Sequence, residues 1–276
     1  MKTIGILGGM GATAGVDLAN KVISNTIANT DHDYIPMTLL SYPHQIADRT
    51  AFLQHKITEN PAHNIVKLIQ KLETLNVSII GMPCNTAHSP QIYNVITDKL
   101  QQLGSHIKLA NMVEATAKFL SVYYPNVEKV GLLATLGTYH SCVYESTFAN
   151  YDIQIVQPNQ PMRECVHQSI YDTEYGIKSG KWLEHKKIYP LLYTAIEHLL
   201  SQQTEVIILG CSELSLALAK SHYKKIPLLD PTTILARELI QQTYPEKLKP
   251  LHIEQTFTAC SIQKSLSSSP IHSIFY

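Results

Sequence analysis

Apolar residues in this chain fall into two alternating patterns. Short runs rich in Ile, Leu and Val end abruptly at glycine, and longer stretches between them repeat their apolar positions every three or four residues. The opening run "TIGILGG", from Thr3, breaks at two glycines and leads into a helical stretch whose apolar stripe reads as Val16, Ala19, Ile23 and Ile27. The later runs "IIGMPC" and "VIILGC" follow helical stretches. Ile65, Leu68, Ile69 and Leu72 carry the spacing in the first, and Leu192, Ile196 and Leu199 carry it in the second. "HIKLANMVEATAKFL" from His106 and "KIPLLDPTTILAREL" from Lys225 each pass through a polar corner, Asn111 or Asp230, into a further helix.

The plan occurs twice. "TIGILGGMGATAG" (Thr3 to Gly15) and "KVGLLATLGTYHS" (Lys129 to Ser141) align as strand, glycine-containing turn and helix. Gly5 precedes Cys84 by 79 residues and Gly131 precedes Cys211 by 80, so each half sets a cysteine in the same relation to its opening strand. The expected fold is therefore α/β: two pseudo-symmetric lobes, each a mainly parallel sheet flanked by helices, with the active site in the cleft between them. The first lobe is expected over 1–112, completed by 230–276, and the second over 113–229. The Ser-rich end "SIQKSLSSSPIHSIFY" reads as a weakly ordered extension.

Ligands of open parallel sheets sit beyond the carboxyl ends of the strands, where both cysteines fall. A lone cysteine after a strand is ordinarily a small core hydrophobe. Two at matched positions, each followed by hydroxyl or amide residues, point to chemistry instead. A thiol at a helix N-terminus is expected to have a lowered pKa. Two such thiols on opposite sides of a substrate make a base and an acid that exchange roles when the reaction reverses, as inversion of a carbon centre requires. Helix-terminal N–H groups with Asn85, Thr86 and Ser212 are placed to hold the carboxylate of the resulting carbanion. The remaining cysteines, Cys142, Cys165 and Cys260, have no repeated partner and read as packing residues.

Composition narrows the setting. The 276 residues carry 22 basic and 22 acidic side chains and no basic field to hold a phosphate backbone, which argues against nucleic acid as partner. No apolar run approaches the ~20 residues that span a membrane. The N-terminus reads as a strand and turn rather than a signal peptide. Five scattered cysteines without a CxxC pair fit free thiols in a reducing cytoplasm.

Five motifs in order, "GGMG" from Gly8, "IADRT" from Ile46, "PCNTAH" from Pro83, "YGIKSG" from Tyr175 and "GCSEL" from Gly210, resemble the aspartate/glutamate racemase family, and within it the aspartate racemase branch. The resemblance covers roughly residues 1–240. It implies a cofactor-independent two-base racemase acting on a small acidic amino acid, aspartate first and glutamate second, built as a homodimer. By motif it makes Cys84 and Cys211 the two bases. Asn85, Thr86 and Ser212 match positions that hold the α-carboxylate, and Arg49 and Lys178 match basic residues near the substrate's carboxylates. Arg's planar fork suits a side-chain carboxylate. The turn at Gly9 and Met10 is expected to line the substrate cleft. The chain departs from the family pattern at Ala12-Thr13 after the first turn, at Ala47 in place of proline, at Ser212 where Thr is common, and in its long tail.

Other readings are weaker. "GMGATA", Gly9 to Ala14, satisfies a dinucleotide fingerprint, but the acidic residue expected after the second strand is missing, since "MTLLSYPH" ends in Tyr-Pro-His. Cys84 and His88 at i, i+4 make two metal ligands without a third partner. Tyr139 and His140 sit in the second lobe's first turn without an assigned role. On the same scaffold, the alternatives are a maleate-type cis–trans isomerase with a nucleophilic cysteine and a non-catalytic small-ligand-binding protein.

Overall fold

The computed structural model describes residues 2–251; Cys260 and the Ser-rich end lie outside them. The chain begins with β1 (Ile4–Gly8), α1 (Ala14–Asn25), β2 (Met37–Ser41), α2 (Arg49–Leu53), α3 (Ala62–Glu73), β3 (Ile79–Gly81), α4 (Pro90–Gln102), β4 (Lys108–Ala110) and α5 (Met112–Tyr123). It continues through β5 (Lys129–Ala134), α6 (Leu136–Ser141), α7 (Val143–Phe148), β6 (Gln154–Val156), α8 (Gln160–Tyr171), α9 (Trp182–His185) and α10 (Ile188–Ser201). The last elements are β7 (Val206–Gly210), α11 (Ser212–Ala217), β8 (His222–Tyr223), β9 (Ile226–Leu229) and α12 (Pro231–Thr243).

The repeat seen in sequence is a repeat of topology. One sheet runs β2-β1-β3-β4 and the other β6-β5-β7-β9, both parallel, with the short β8 added antiparallel to β9. In each, the chain reverses its direction of travel across the sheet between the first and third strands. Such a reversal opens a crevice at the strands' carboxyl ends. The cysteines follow the third strand of each sheet, Cys84 three residues after β3 and Cys211 directly after β7, so both stand at that crevice.

The predicted helical stripes of α3 and α10 are buried: Ile65, Leu68, Ile69 and Leu72 lie in the first core, and Leu192, Ile196 and Leu199 in the second. The α1 stripe is a correction. Val16 and Ile23, with Ile27 just past the helix, are 51%, 41% and 44% exposed, and the face turned inward is Ala14, Gly15, Leu18 and Val22. Helix α1 carries apolar residues on both sides, and contact with β1, β2 and α12 decides which side is covered.

The polar corners cap helices. Asn111 Oδ1 accepts from the N–H groups of Val113 and Glu114 and starts α5, and the Asp230 carboxylate accepts from Thr232 and Thr233 and starts α12. These helices are exchanged between sheets. Helix α5 follows the first sheet, yet Val113, Ala115, Ala117 and Leu120 pack with β5 and β7 of the second. Helix α12 follows the second sheet, yet Leu235, Ala236, Leu239 and Ile240 pack with Ile4, Ile6 and Leu18 of the first. No helix among the described residues is long and apolar enough to cross a membrane.

Candidate active site

Cys84 and Cys211 have nearly the same extended backbone, φ −145° and −142°, each ending a strand segment and starting a helical turn. Both are buried, at 6% and 7% exposure, and both line one cavity between the sheets. Met10, Arg49, Asn85 and Thr86 line it from the first lobe, and Thr135, Tyr171, Lys178, Ser212 and Glu213 from the second. Gly9 is not in this lining; at φ +89° it lies against Tyr42 and Pro43 and passes the chain to Met10.

Arg49 opens α2. Asp48 caps that helix by accepting the Ala51 N–H at 2.7 Å, and its other oxygen accepts from the Tyr171 hydroxyl at 3.1 Å. The guanidinium is buried and donates to the Ala47 carbonyl at 3.1 Å, leaving Nε without a partner. Burial works against its charge, but Cys84 and Asp48 alongside more than offset this and raise its pKa.

Lys178, from the turn Ile177–Ser179, forms an ion pair with Glu213 and stands 5.4 Å from the centre of the Tyr171 ring. Burial opposes its charge; Glu213 and then Cys211 hold its pKa up. Glu213 is itself only 2% exposed. Its Oε2 accepts from the Cys211 thiol at 3.0 Å and from the Ser212 hydroxyl at 3.2 Å. Burial would raise this carboxyl, yet Lys178 and the Cys211 hydrogen bond hold it below the usual range.

The expectation of a lowered thiol pKa at Cys211 is therefore corrected. Burial pushes it well up, the Glu213 charge adds to that, and Lys178 offsets only part. The six-residue α11 does too little to reverse the sign. The packing reading of Cys142 is corrected as well: it is exposed, at φ 50° in the junction of α6 and α7. Cys165 is half-buried.

Two glycines at equivalent places in the repeat let the lobes meet. A Cβ on Gly11 would stand 2.5 Å from Glu213 Oε1 and 3.0 Å from Lys178 Nζ, so the second-lobe ion pair sits directly on the first-lobe turn. A Cβ on Gly137 would stand 2.8 Å from the Thr50 Cα, beside Arg49. "GMGATA" thus has its second glycine because an ion pair approaches it, and no pyrophosphate is needed to explain the motif. Around Thr50 the hydroxyls of Thr86, Thr135 and Thr138 form a buried cluster at 2.9–3.4 Å.

His88 is held by backbone. Its Nδ1–H donates to the Cys84 carbonyl at 2.9 Å and its Nε2 accepts from the Met112 N–H at 3.3 Å. Both ring nitrogens are occupied, which leaves none for a metal. Tyr139 is buried with its hydroxyl against Ala134 N–H and the Leu132 carbonyl, and His140 is exposed; neither lines the cavity. Tyr171 and Thr135 were not found from sequence. Tyr171 arrives from α8 with no motif, whereas Thr135 occupies the repeat position of Gly9 and alignment of the halves points to it.

The lobes are closed: the cavity leaves about 10 Å³ for the centre of a water molecule, enough for one water. A larger cavity of about 690 Å³ lies behind α11 and contains neither cysteine. Its central Lys21 is already paired with Asp17 at 2.5 Å and Asp230 at 2.6 Å.

Fold and site together define a duplicated α/β protein with one thiol from each lobe in a shared, cation-bearing cavity. The sequence profile of the Asp/Glu/Hydantoin racemase family matches residues 7–239, and the chain belongs to that family. Its chemistry is isomerisation of amino-acid-like substrates. The chain is 28% identical over 243 residues to the broad specificity amino-acid racemase RacX of Bacillus subtilis (strain 168), covering 86% of this chain and 96% of that one. It is similar in structure to the Picrophilus torridus aspartate racemase, with TM-score 0.74, 28% identity and coverage of 90% and 96%. The glutamate racemase isoform RacE1 of Bacillus anthracis shares the fold, with TM-score 0.59, 15% identity and coverage of 87% and 82%.

Proposed function

We propose that this protein racemises an acidic amino acid, aspartate first and glutamate second, by a cofactor-independent two-base mechanism using Cys84 and Cys211. The observation that carries the reading is the pair of thiols at equivalent strand ends, lining one cavity with Arg49 and Lys178. One sulfur, as thiolate, takes the α-proton from one face of the substrate. The other, as thiol, delivers a proton to the opposite face, and the two exchange protonation states. For one enantiomer Cys211 enters as the proton donor, its thiol held beside Glu213; for the other the two sulfurs begin in the opposite states. The electron pair left at Cα is held in an enolate-like form by donors on the α-carboxylate: Asn85 Nδ2, the Thr86 and Ser212 hydroxyls and neighbouring N–H groups. The unpartnered Nε of Arg49 is placed for the side-chain carboxylate. Lys178 adds positive charge and holds Glu213. Met10 closes the remaining wall, and the Gly9 turn behind it delivers Met10 there.

The test is α-proton exchange in D₂O followed by NMR, with L- and D-aspartate, then glutamate, then neutral and basic amino acids because RacX is named for broad specificity. Exchange with loss of chirality in the wild type is expected. Cys84→Ala and Cys211→Ala should each show no more than one-sided wash-out. No exchange with any amino acid sinks the proposal.

The reading carries a cytoplasmic setting, supported by four free cysteines among the described residues. It also carries a homodimer, supported by the exposed apolar residues Val16, Ile23, Ile27, Tyr34 and Leu39 on and beside α1 and β2. Sedimentation of the wild type at twice the chain mass is the check.

A further inference from the structure

We propose that Tyr144 is a positioning residue that aims the Asn85 amide at the substrate carboxylate, and that it does so only when the lobes are closed. This rests on the racemase reading for the identity of the carboxylate. Asn85 belongs to the first lobe, in the turn after β3, and is 2% exposed. An amide in that turn can present either end to the cavity: Oδ1, an acceptor that repels a carboxylate, or Nδ2, a donor that binds one. Tyr144 settles the choice. It comes from α7 of the second lobe, is wholly buried among Leu132, Val143 and Phe148, and donates its hydroxyl to Asn85 Oδ1 at 2.5 Å. Burial keeps the phenol protonated, so it remains a donor throughout the working pH range.

With Oδ1 held, Nδ2 is the end left over. It is buried, has no hydrogen-bond partner and belongs to a residue that lines the cavity with both cysteines. Leaving a buried donor unpaired is costly. A substrate oxygen supplies what it lacks. The hydrogen bond crosses from one lobe to the other, so it forms and breaks with the cleft. In the open state Asn85 is free to turn, and on closing, Tyr144 fixes it as a donor. The site thereby acquires full affinity for a carboxylate only once the substrate is enclosed. The hydroxyl touches Asn85 and no reacting atom is assigned to it, so the role is one of positioning.

The test is Tyr144→Phe, which keeps the ring in the core and removes the hydroxyl. Expected results are a rise of about tenfold in KM for aspartate, a smaller change in kcat, and a matching loss of affinity for malonate by calorimetry. The melting temperature should stay within a few degrees of the wild type. In an Asn85→Ala background the same substitution should leave KM unchanged. Unchanged KM and malonate affinity in Tyr144→Phe overturn the proposal, as does a further KM rise in the double variant. A second readout follows the ligand directly: the ¹⁵N side-chain amide pair assigned to Asn85 by its disappearance in Asn85→Ala should shift downfield at one proton when malonate is added, and should lose that shift in Tyr144→Phe. No malonate-dependent shift, or the same shift in Tyr144→Phe as in the wild type, overturns the proposal. Failure of the wild type to racemise any amino acid removes the racemase reading but leaves the malonate and amide readouts to decide the role of Tyr144. Failure to bind malonate removes Asn85 as a carboxylate donor and the proposal with it.

Discussion

The Cys211 sulfur lies 3.0 Å from Oε2 of Glu213, and that contact breaks the symmetry of the two halves. In the repeat, Cys84 aligns with Cys211 and Thr86 with Glu213, so a neutral hydroxyl stands in one lobe where a buried carboxylate stands in the other. Cys84 has the Arg49 guanidinium beside it instead. One thiol is thus set beside an anion and the other beside a cation.

Glu213→Gln should lower the Cys211 pKa, because it removes the charge that, after burial, does most to raise it. Carbamidomethylation of Cys211 at pH 7.5, followed by peptide mass spectrometry, should speed up by roughly tenfold. In the kcat profile, the alkaline limb set by loss of the Cys211 proton should move to lower pH. Unchanged labelling of Cys211 would remove Glu213 from the account.

His88 makes stability fall in mild acid. Burial drives its pKa from 6.5 down to about 4, so the folded state holds the neutral ring while the unfolded chain takes up a proton. Its contribution is complete above pH 6.5 and is lost as pH falls through 4, a change of ~3 kcal/mol by linkage. Urea midpoints between pH 7 and pH 4 should show this slope in the wild type and lose most of it in His88→Asn.

Gly11→Ala and Gly137→Ala should each act as a wedge. The added methyl meets the Lys178–Glu213 pair in one case and the Thr50 backbone in the other. Overpacking at such contacts costs about 1–3 kcal/mol, here charged to the closed state. Racemisation should fall at least about tenfold in kcat/KM while thermal unfolding moves little. Wild-type turnover in both variants would mean that tight closure is not required.

Arg49→Lys separates charge from geometry. A lysine keeps the positive charge but lacks the planar fork, and loss of a charge-assisted bidentate contact is worth ~2–3 kcal/mol. Aspartate turnover should therefore fall by about 100-fold, with a much smaller loss for alanine. An equal loss for both substrates would place Arg49 with Cys84 rather than with the side-chain carboxylate.

The sequence made the duplicated plan legible because strand, glycine turn and cysteine recur at matched distances, and each depends only on local chain. Asn111 and Asp230 were recognisable as corners because capping is local chemistry. What stayed hidden was whatever depends on the other lobe. Tyr144 and Tyr171 reach across to the first lobe over separations that no periodicity records, whereas the Glu213 contact is local and takes its weight from burial that the sequence does not display. The α1 stripe failed for a related reason: Val16 and Ile23 are as apolar as Leu18 and Val22, and only the docking of α1 against β1, β2 and α12 distinguishes them. The helix-terminus rule failed at Cys211 because burial and one carboxylate outweigh a short helix.

Among the described residues, the exchange of α5 and α12 gives two covalent crossings between the sheets, at Asn111 and at Asp230. A body joined to another at two points swings about the line through them, like a door on two pins. Two such joints constrain how the sheets can part more than one joint would. Each pin is a capping residue whose side chain already grips the helix beyond it. Neither position meets the substrate, yet each stands where the chain passes from one sheet to the other.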